Sequence, residues 1–245
     1  MFRTRVSTVL VMSAGLLFVA CGDDTTTSGT VGTQPAATTA TTPATTQAPV
    51  VTTTVPEVVE VAIWPTADVV FTTPEQAALD FLAAAFVPGP VIGPFAAGDA
   101  RSGEFEVFAS DEAGAPIGTP RAVLLVRQLG PDDGWFVLAA ASDFATVTTP
   151  ASRAVVEPGA VTVEGVARGF EATIVVSAFV VGDAATLLDN QVTMAGNFDQ
   201  ALPYSVTLDL SAASPGDVVV LLVRGGTGLE TDPGDFSAVP IVIGS

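Results

Sequence analysis

Hydrophobic and polar positions divide the chain into four unequal stretches. The first is an apolar run over residues 9–20, preceded by Arg3 and Arg5 and ended by Ala20 and Cys21. A positive start, an apolar middle and a small residue ahead of the break are the three parts of a secretory signal. The run is shorter than the about 20 apolar residues that cross the hydrocarbon of a bilayer. Residues 22–60 follow as a Thr/Ala/Pro tract without an aromatic residue, Leu or Ile, and without amphipathic period. Such a tract buries too little surface to offset the entropy of ordering. It is expected to be a disordered Thr-rich linker, averaging about 35 Å end to end as a flexible chain.

The third stretch, residues 61–143, carries the clearest helical pattern. Thr73 can cap, Pro74 suits the first helical position, and Gln76 completes a Thr-x-x-Gln capping box. Ala78, Phe81, Leu82 and Ala85 then recur on one face, with Leu79 and Phe86 on its flank, and Pro88-Gly89-Pro90 stops the helix. Strand-length runs follow over 103–109, 121–129 and 135–141. Gly130-Pro131-Asp132-Asp133-Gly134 forms a hairpin loop between the last two. One helix over a small antiparallel sheet makes a small α+β domain.

The fourth stretch, residues 146–245, has no helical period. Val-rich runs over 161–166, 173–181, 204–210, 218–224 and 239–243 alternate with turns at Pro158-Gly159, Gly182-Asp183, Pro215-Gly216-Asp217 and Asp232-Pro233-Gly234. About a hundred residues of short strands and regular turns predict a β-sandwich. The fold is therefore expected to be mainly β: a small α+β domain, then a β-sandwich, after the linker. The loop over 143–153, short and containing Pro150, is expected to act as a limited hinge.

Composition narrows the chemistry. The chain of 245 residues is 49% hydrophobic and carries a formal net charge of −18, which loss of Arg3 and Arg5 with the signal deepens by two. Such a field repels nucleic acid and anionic head groups. Neither His nor Lys occurs, and Cys21 is the only cysteine. A Ser-His-Asp or Cys-His site is impossible within this chain, and zinc catalysis is disfavoured. No catalytic, cofactor or metal residue is expected.

The acids and arginines also admit plainer roles. Asp132, Asp133, Asp99, Asp111 and Glu112 could offer oxygens to calcium, but no stretch has the spacing of a calcium loop, and Asp-Asp-Gly between strands is ordinarily a turn. Paired carboxylates could also run glycoside hydrolysis, though no motif selects a pair. Arg101, Arg121, Arg127, Arg153, Arg168 and Arg224 are the cations beyond the signal. Arg127 and Arg224 each end an apolar run and are expected near the surface at strand ends. An arginine fork could grip a carboxylate, for instance in wall peptide, while local neutralisation of an acidic surface is the favoured reading. Among Trp64, Trp135, Phe136 and Tyr204, the Trp135-Phe136 pair should alternate across its sheet, one side chain inward and one outward.

Two resemblances add to this. Phe18-Val19-Ala20-Cys21 resembles a bacterial lipobox, with Phe18 where that pattern usually has Leu, Val or Ile. The resemblance implies a diacylglycerol on the Cys21 thiol and export to the outer face of the bacterial cell membrane. An ordinary signal cleaved near Ala20, or an uncleaved anchor, remains the alternative. Pro150, Pro158, Val161-Thr162-Val163-Glu164-Gly165 and Phe170-Glu171 resemble the start of the immunoglobulin-like domain of bacterial spore germination, over roughly the last hundred residues. Together they imply a cell-envelope lipoprotein acting as a non-enzymatic binding or structural module. Its partners would be the membrane through Cys21 and peptidoglycan or envelope proteins, without nucleic acid. The alternative is an acid-acid cell-wall hydrolase carried by the first domain.

Overall fold

The computed structural model describes residues 61–86, 90–229 and 231–245. The expectations for the signal (1–21), the lipidation site Cys21 and the linker (22–60) lie outside those residues. Among the described residues, no helix is long and apolar enough to cross a membrane.

The elements run in chain order as α1 (Pro74–Ala85), β1 (Val91–Ile92), β2 (Ala96–Asp99), β3 (Ser102–Ser110), β4 (Pro116–Leu129), β5 (Gly134–Ala141), β6 (Val155–Val156), β7 (Ala160–Ala167), β8 (Thr173–Val180), β9 (Leu187–Met194), β10 (Leu202–Asp209), β11 (Val218–Gly225) and β12 (Asp235–Ile243). A single 3-10 turn, Phe170–Ala172, precedes β8. The fold is mainly β with one α-helix.

The helix forms as its sequence dictates. Thr73 is extended and its hydroxyl accepts from the Gln76 N–H at 3.3 Å, satisfying one of the free donors of the first turn. The Gln76 side chain returns one residue further back than a capping box requires, accepting from the Thr72 N–H and hydroxyl. Ala77, Ala78, Phe81 and Leu82 are buried, and Leu79 is exposed.

Strands β3, β4 and β5 make the expected meander. On its other edge, β5 is shared. Its first half pairs with the incoming chain, Trp64 opposite Val137 and Phe71 opposite Trp135; further along, Ala140 pairs with Ala238 of β12. The meander therefore continues into the second segment, in the order β1-β3-β4-β5-β12-β11-β8-β9. Strands β7 and β10 form a separate antiparallel ribbon. It packs over one face of β8, β11 and β12, around Val163, Tyr204, Leu208, Ile174, Leu221 and Ile241. On the opposite face of the long sheet, Phe179, Val220, Leu222, Phe236 and Ala238 share a core with Phe81 and Leu82 of α1 and with Leu124 and Val137 of the meander. Residues 61–143 and 146–245 thus contribute to one apolar interior.

Buried polar groups pin this junction. Ser237, 4% exposed on β12, accepts from the Ser142 N–H at 3.0 Å and donates to the Ala145 carbonyl. The chain leaving β5 is held against β12 at the start of the loop in which the hinge was expected.

Strand β9 went unread in the sequence, and so did the short β1, β2 and β6. In β9 the polar Asp189-Asn190-Gln191 interrupts the apolar residues, and as an edge strand it buries little. β12 begins at Asp235, four residues before the predicted run.

Candidate functional site

The acids singled out in the sequence lie in turns or, for Asp99, at the end of β2. Asp133 has φ of 51° in the β4–β5 turn and pairs with Arg101 at 2.5 Å, both side chains well exposed. Asp99 accepts the Arg101 N–H at 2.7 Å; this bond first, and the Ser102 hydroxyl next, hold its carboxyl below the usual range. Asp111 stands at the other end of β3, where it accepts from the Ala113 and Ala115 N–H groups at 2.9 and 2.8 Å and closes the β3–β4 hairpin beside Glu112. Nine strand residues span about 30 Å, so the two groups of acids sit at opposite ends of the meander. Among the described residues, no three or more Asp, Glu, Cys or His side chains come together as metal ligands would.

The aromatic expectation needs correction. Trp135 and Phe136 are both buried, each 8% exposed. Trp135 packs into the helix-side core, edge to face with Phe95 at 5.8 Å between centroids. Phe136 takes the other face, yet it is covered too. Val70, from the segment that pairs with β5, shares with the Phe136 ring the space beside Gly134 that a side chain would fill. The two side chains alternate across the sheet, yet both faces are covered at this pair. Trp64 is also buried, its indole N–H donating to Asp80 at 2.8 Å. Tyr204 donates to the Thr146 carbonyl at 2.9 Å, and burial raises its pKa.

Five of the six arginines serve local roles. Arg101 pairs across a turn, as above. Arg121 reaches Asp232 at 2.5 Å, joining β4 to the loop before β12. Arg168 donates from Nε to Asp235 at 2.7 Å and from Nη1 to the Phe198 carbonyl at 3.2 Å, with its guanidinium 3.4 Å above the Phe144 ring. Arg127 lowers the Asp99 pKa through its charge. Arg153 has φ of 67° and donates its backbone N–H to the Pro240 carbonyl at 2.6 Å.

Arg224 differs. It ends β11 as expected and, like Arg127 at the end of β4, is half-buried instead of lying at the surface; at Arg224 the end of α1 reaches over it. Its guanidinium stands 5.8 Å from the centroid of Phe86, the C-cap of α1, and its register partner on β12 is Phe236. Phe86 and Phe236 themselves lie 4.5 Å apart. Burial pulls the Arg224 pKa below the usual guanidinium value. Among the described residues, no carboxylate pairs with it. It lines two open cavities, one of about 320 Å3 with Phe86, Thr227 and Leu229, the other of about 200 Å3 with Ala85, Ser177 and Asn190. Ser177 donates to Asn190 Oδ1 at 2.8 Å, so this bond does not use the Asn190 amide N–H groups. The sequence signal for Arg224 was a cation closing a Val/Leu run; nothing local pointed to Asn190.

Two packed antiparallel layers joined by short turns, with an apolar interior and no cysteine pair, define an immunoglobulin-like β-sandwich module. Residues 144–225 match the family model of the immunoglobulin-like domain of bacterial spore germination. The match spans the Val161-to-Gly165 motif and ends at Gly225, so β12 lies beyond it. The motif glycine has a steric reason: a Cβ on Gly165 would stand 1.9 Å from the Thr146 carbonyl oxygen that crosses it. No curated protein and no solved structure matches the chain.

Proposed function

We propose that this chain is an exported lipoprotein, anchored through a diacylglycerol on Cys21 to the outer face of the bacterial cell membrane. Its folded part works there as a non-enzymatic module that binds or organises wall components or partner proteins. The observation that carries the reading is the immunoglobulin-like module over residues 144–225, a scaffold that ordinarily presents surfaces and loops to partners. Placement of the singled-out acids in turns, bonded to backbone N–H groups and to Arg101, is in keeping with it. One acyl chain binds membranes only marginally, while two hold firmly, so a diacylglycerol would anchor by itself.

The test has two arms. Metabolic labelling with a fatty acid should mark the wild type and leave Cys21→Ala unlabelled; equal labelling of both would remove the anchor. Full-length protein in detergent should retain purified peptidoglycan or a specific envelope protein without releasing soluble fragments. Fragment release would favour the acid-acid hydrolase instead.

A further inference from the structure

We propose that Arg224 is the centre of a carboxylate-binding site, lying at the C-terminal end of α1 where that helix stops short of β8 and β9, and that its ligand is the C-terminal carboxylate of a peptide. The proposal rests on the binding-module reading and locates its contact.

Three observations converge. First, the positions facing the helix side alternate along each strand: Leu222 and Arg224 on β11, Ser177 and Phe179 on β8, Asn190 on β9, with Ser177 and Asn190 in register. α1 covers this face over β12 and the meander, then ends at Ala85, leaving the β8–β9 part as an open trough. Second, the trough holds a cation on a very acidic protein. Arg101, Arg121 and Arg168 are each matched to a carboxylate, whereas Arg224 lies half-buried against Phe86 and Phe236. Asp232, which lines the neighbouring cavity, is taken by Arg121. The Phe86 ring beside the guanidinium orients it without using its N–H donors, so the loss of side-chain freedom on binding is small. The last turn of α1, with its partial negative charge, offsets the cost of holding the cation there.

Third, the donors fit one chemistry. A guanidinium fork matches the two oxygens of a carboxylate, and the Asn190 amide can donate beside it. Val175, Phe179 and Leu187 line the same cavity and offer apolar contact to one small side chain next to that carboxylate. The volumes, about 200 and 320 Å3, suit a terminal residue and not a folded partner.

The experiment titrates full-length protein in detergent with N-acetyl-trialanine bearing a free C-terminal carboxylate, with its C-terminal amide, and with sodium acetate as a free carboxylate. Binding is read by calorimetry and by chemical shifts. The carboxylate peptide should bind at least about tenfold more tightly than the amide. Arg224→Gln should lose that difference, Arg224→Lys should keep part of it, and Arg101→Gln should behave as wild type. Acetate binding as tightly as the peptide would overturn the peptide as ligand. Equal binding of amide and carboxylate, or equal loss in Arg101→Gln, would overturn the site. The amide comparison needs no variant, so a misfolded Arg224→Gln does not shield the proposal. Wall polymer retained equally by wild type and Arg224→Gln would sink this site and leave the binding module standing. Peptide bound with no wall polymer or envelope protein retained would do the reverse.

Discussion

Gly165 and Asp189 show how single positions hold the two layers together. The carbonyl of Thr146 crosses β7 where Gly165 has no side chain, and the same oxygen receives the Tyr204 hydroxyl. Gly165→Ala would drive a Cβ into backbone that cannot retreat without breaking that bond. It should cost about 3 kcal/mol, read as a lower urea midpoint at unchanged slope. Asp189 on β9 accepts the Asp209 N–H of β10 at 2.8 Å, a bond from one sheet to the other. That bond is the first cause of its lowered pKa, ahead of Gln191 and the Asn190 N–H. A carboxyl whose folded pKa is depressed binds fewer protons folded than unfolded. Its stabilisation is therefore present above the unfolded value, about 3.9, and is lost as pH falls through the folded one. Asp209, held low chiefly by the Ser211 N–H, and Asp99 follow the same sign. The urea midpoint should drop as pH is lowered from 5 toward 2, and by less in Asp189→Asn; an equal drop would leave this bond without a role.

Among the elements, α1 links local sequence to the interior most directly. Its cap is a surface feature, and Thr73→Ala should cost about 1 kcal/mol. Phe81 is fully buried beneath it, between Trp64 and the sheet, and Phe81→Ala should cost about 4 kcal/mol. Thermal melts of both variants check the contrast. Comparable losses would mean that the helix is not packed as described. Strand β5 is the other decisive element, because its free edge is divided between residues 63–71 and β12. That division brings α1 and the meander onto the sandwich face and leaves Arg224 under the helix end.

For the whole folded part, the shared core bears on the expected hinge at 143–153. Opening there would separate Phe86 from Phe236, expose Phe179, Val220 and Leu222, and break the Ser237 bonds to both sides of the turn. Residues 61–245 should therefore unfold in one cooperative transition, with calorimetric and van't Hoff enthalpies equal. Two resolved transitions, with the first-segment variant Phe81→Ala moving only one, would show instead that the segments fold apart.

The amino-acid sequence by itself determined what is local. The span and buried face of α1, the meander strands, five sandwich strands and most of their turns follow from periods of 3.6 and 2 and from Pro, Gly and Asp at the breaks. It also carried the Gly165 motif, which lies within the family match over residues 144–225. Tertiary structure alone decided the rest. β9 mixes four apolar with four polar residues because an edge strand needs little burial, so no apolar run announces it. Val70 and the Phe136 ring, more than sixty positions apart, come together beside Gly134. Arg224 reads like Arg127 in sequence, each closing an apolar run and each half-buried, and only the tertiary fold sets the Phe86 ring at the end of α1 beside Arg224. Pairings such as Ala140 with Ala238 depend on which distant element reaches a free edge, and no local period encodes that.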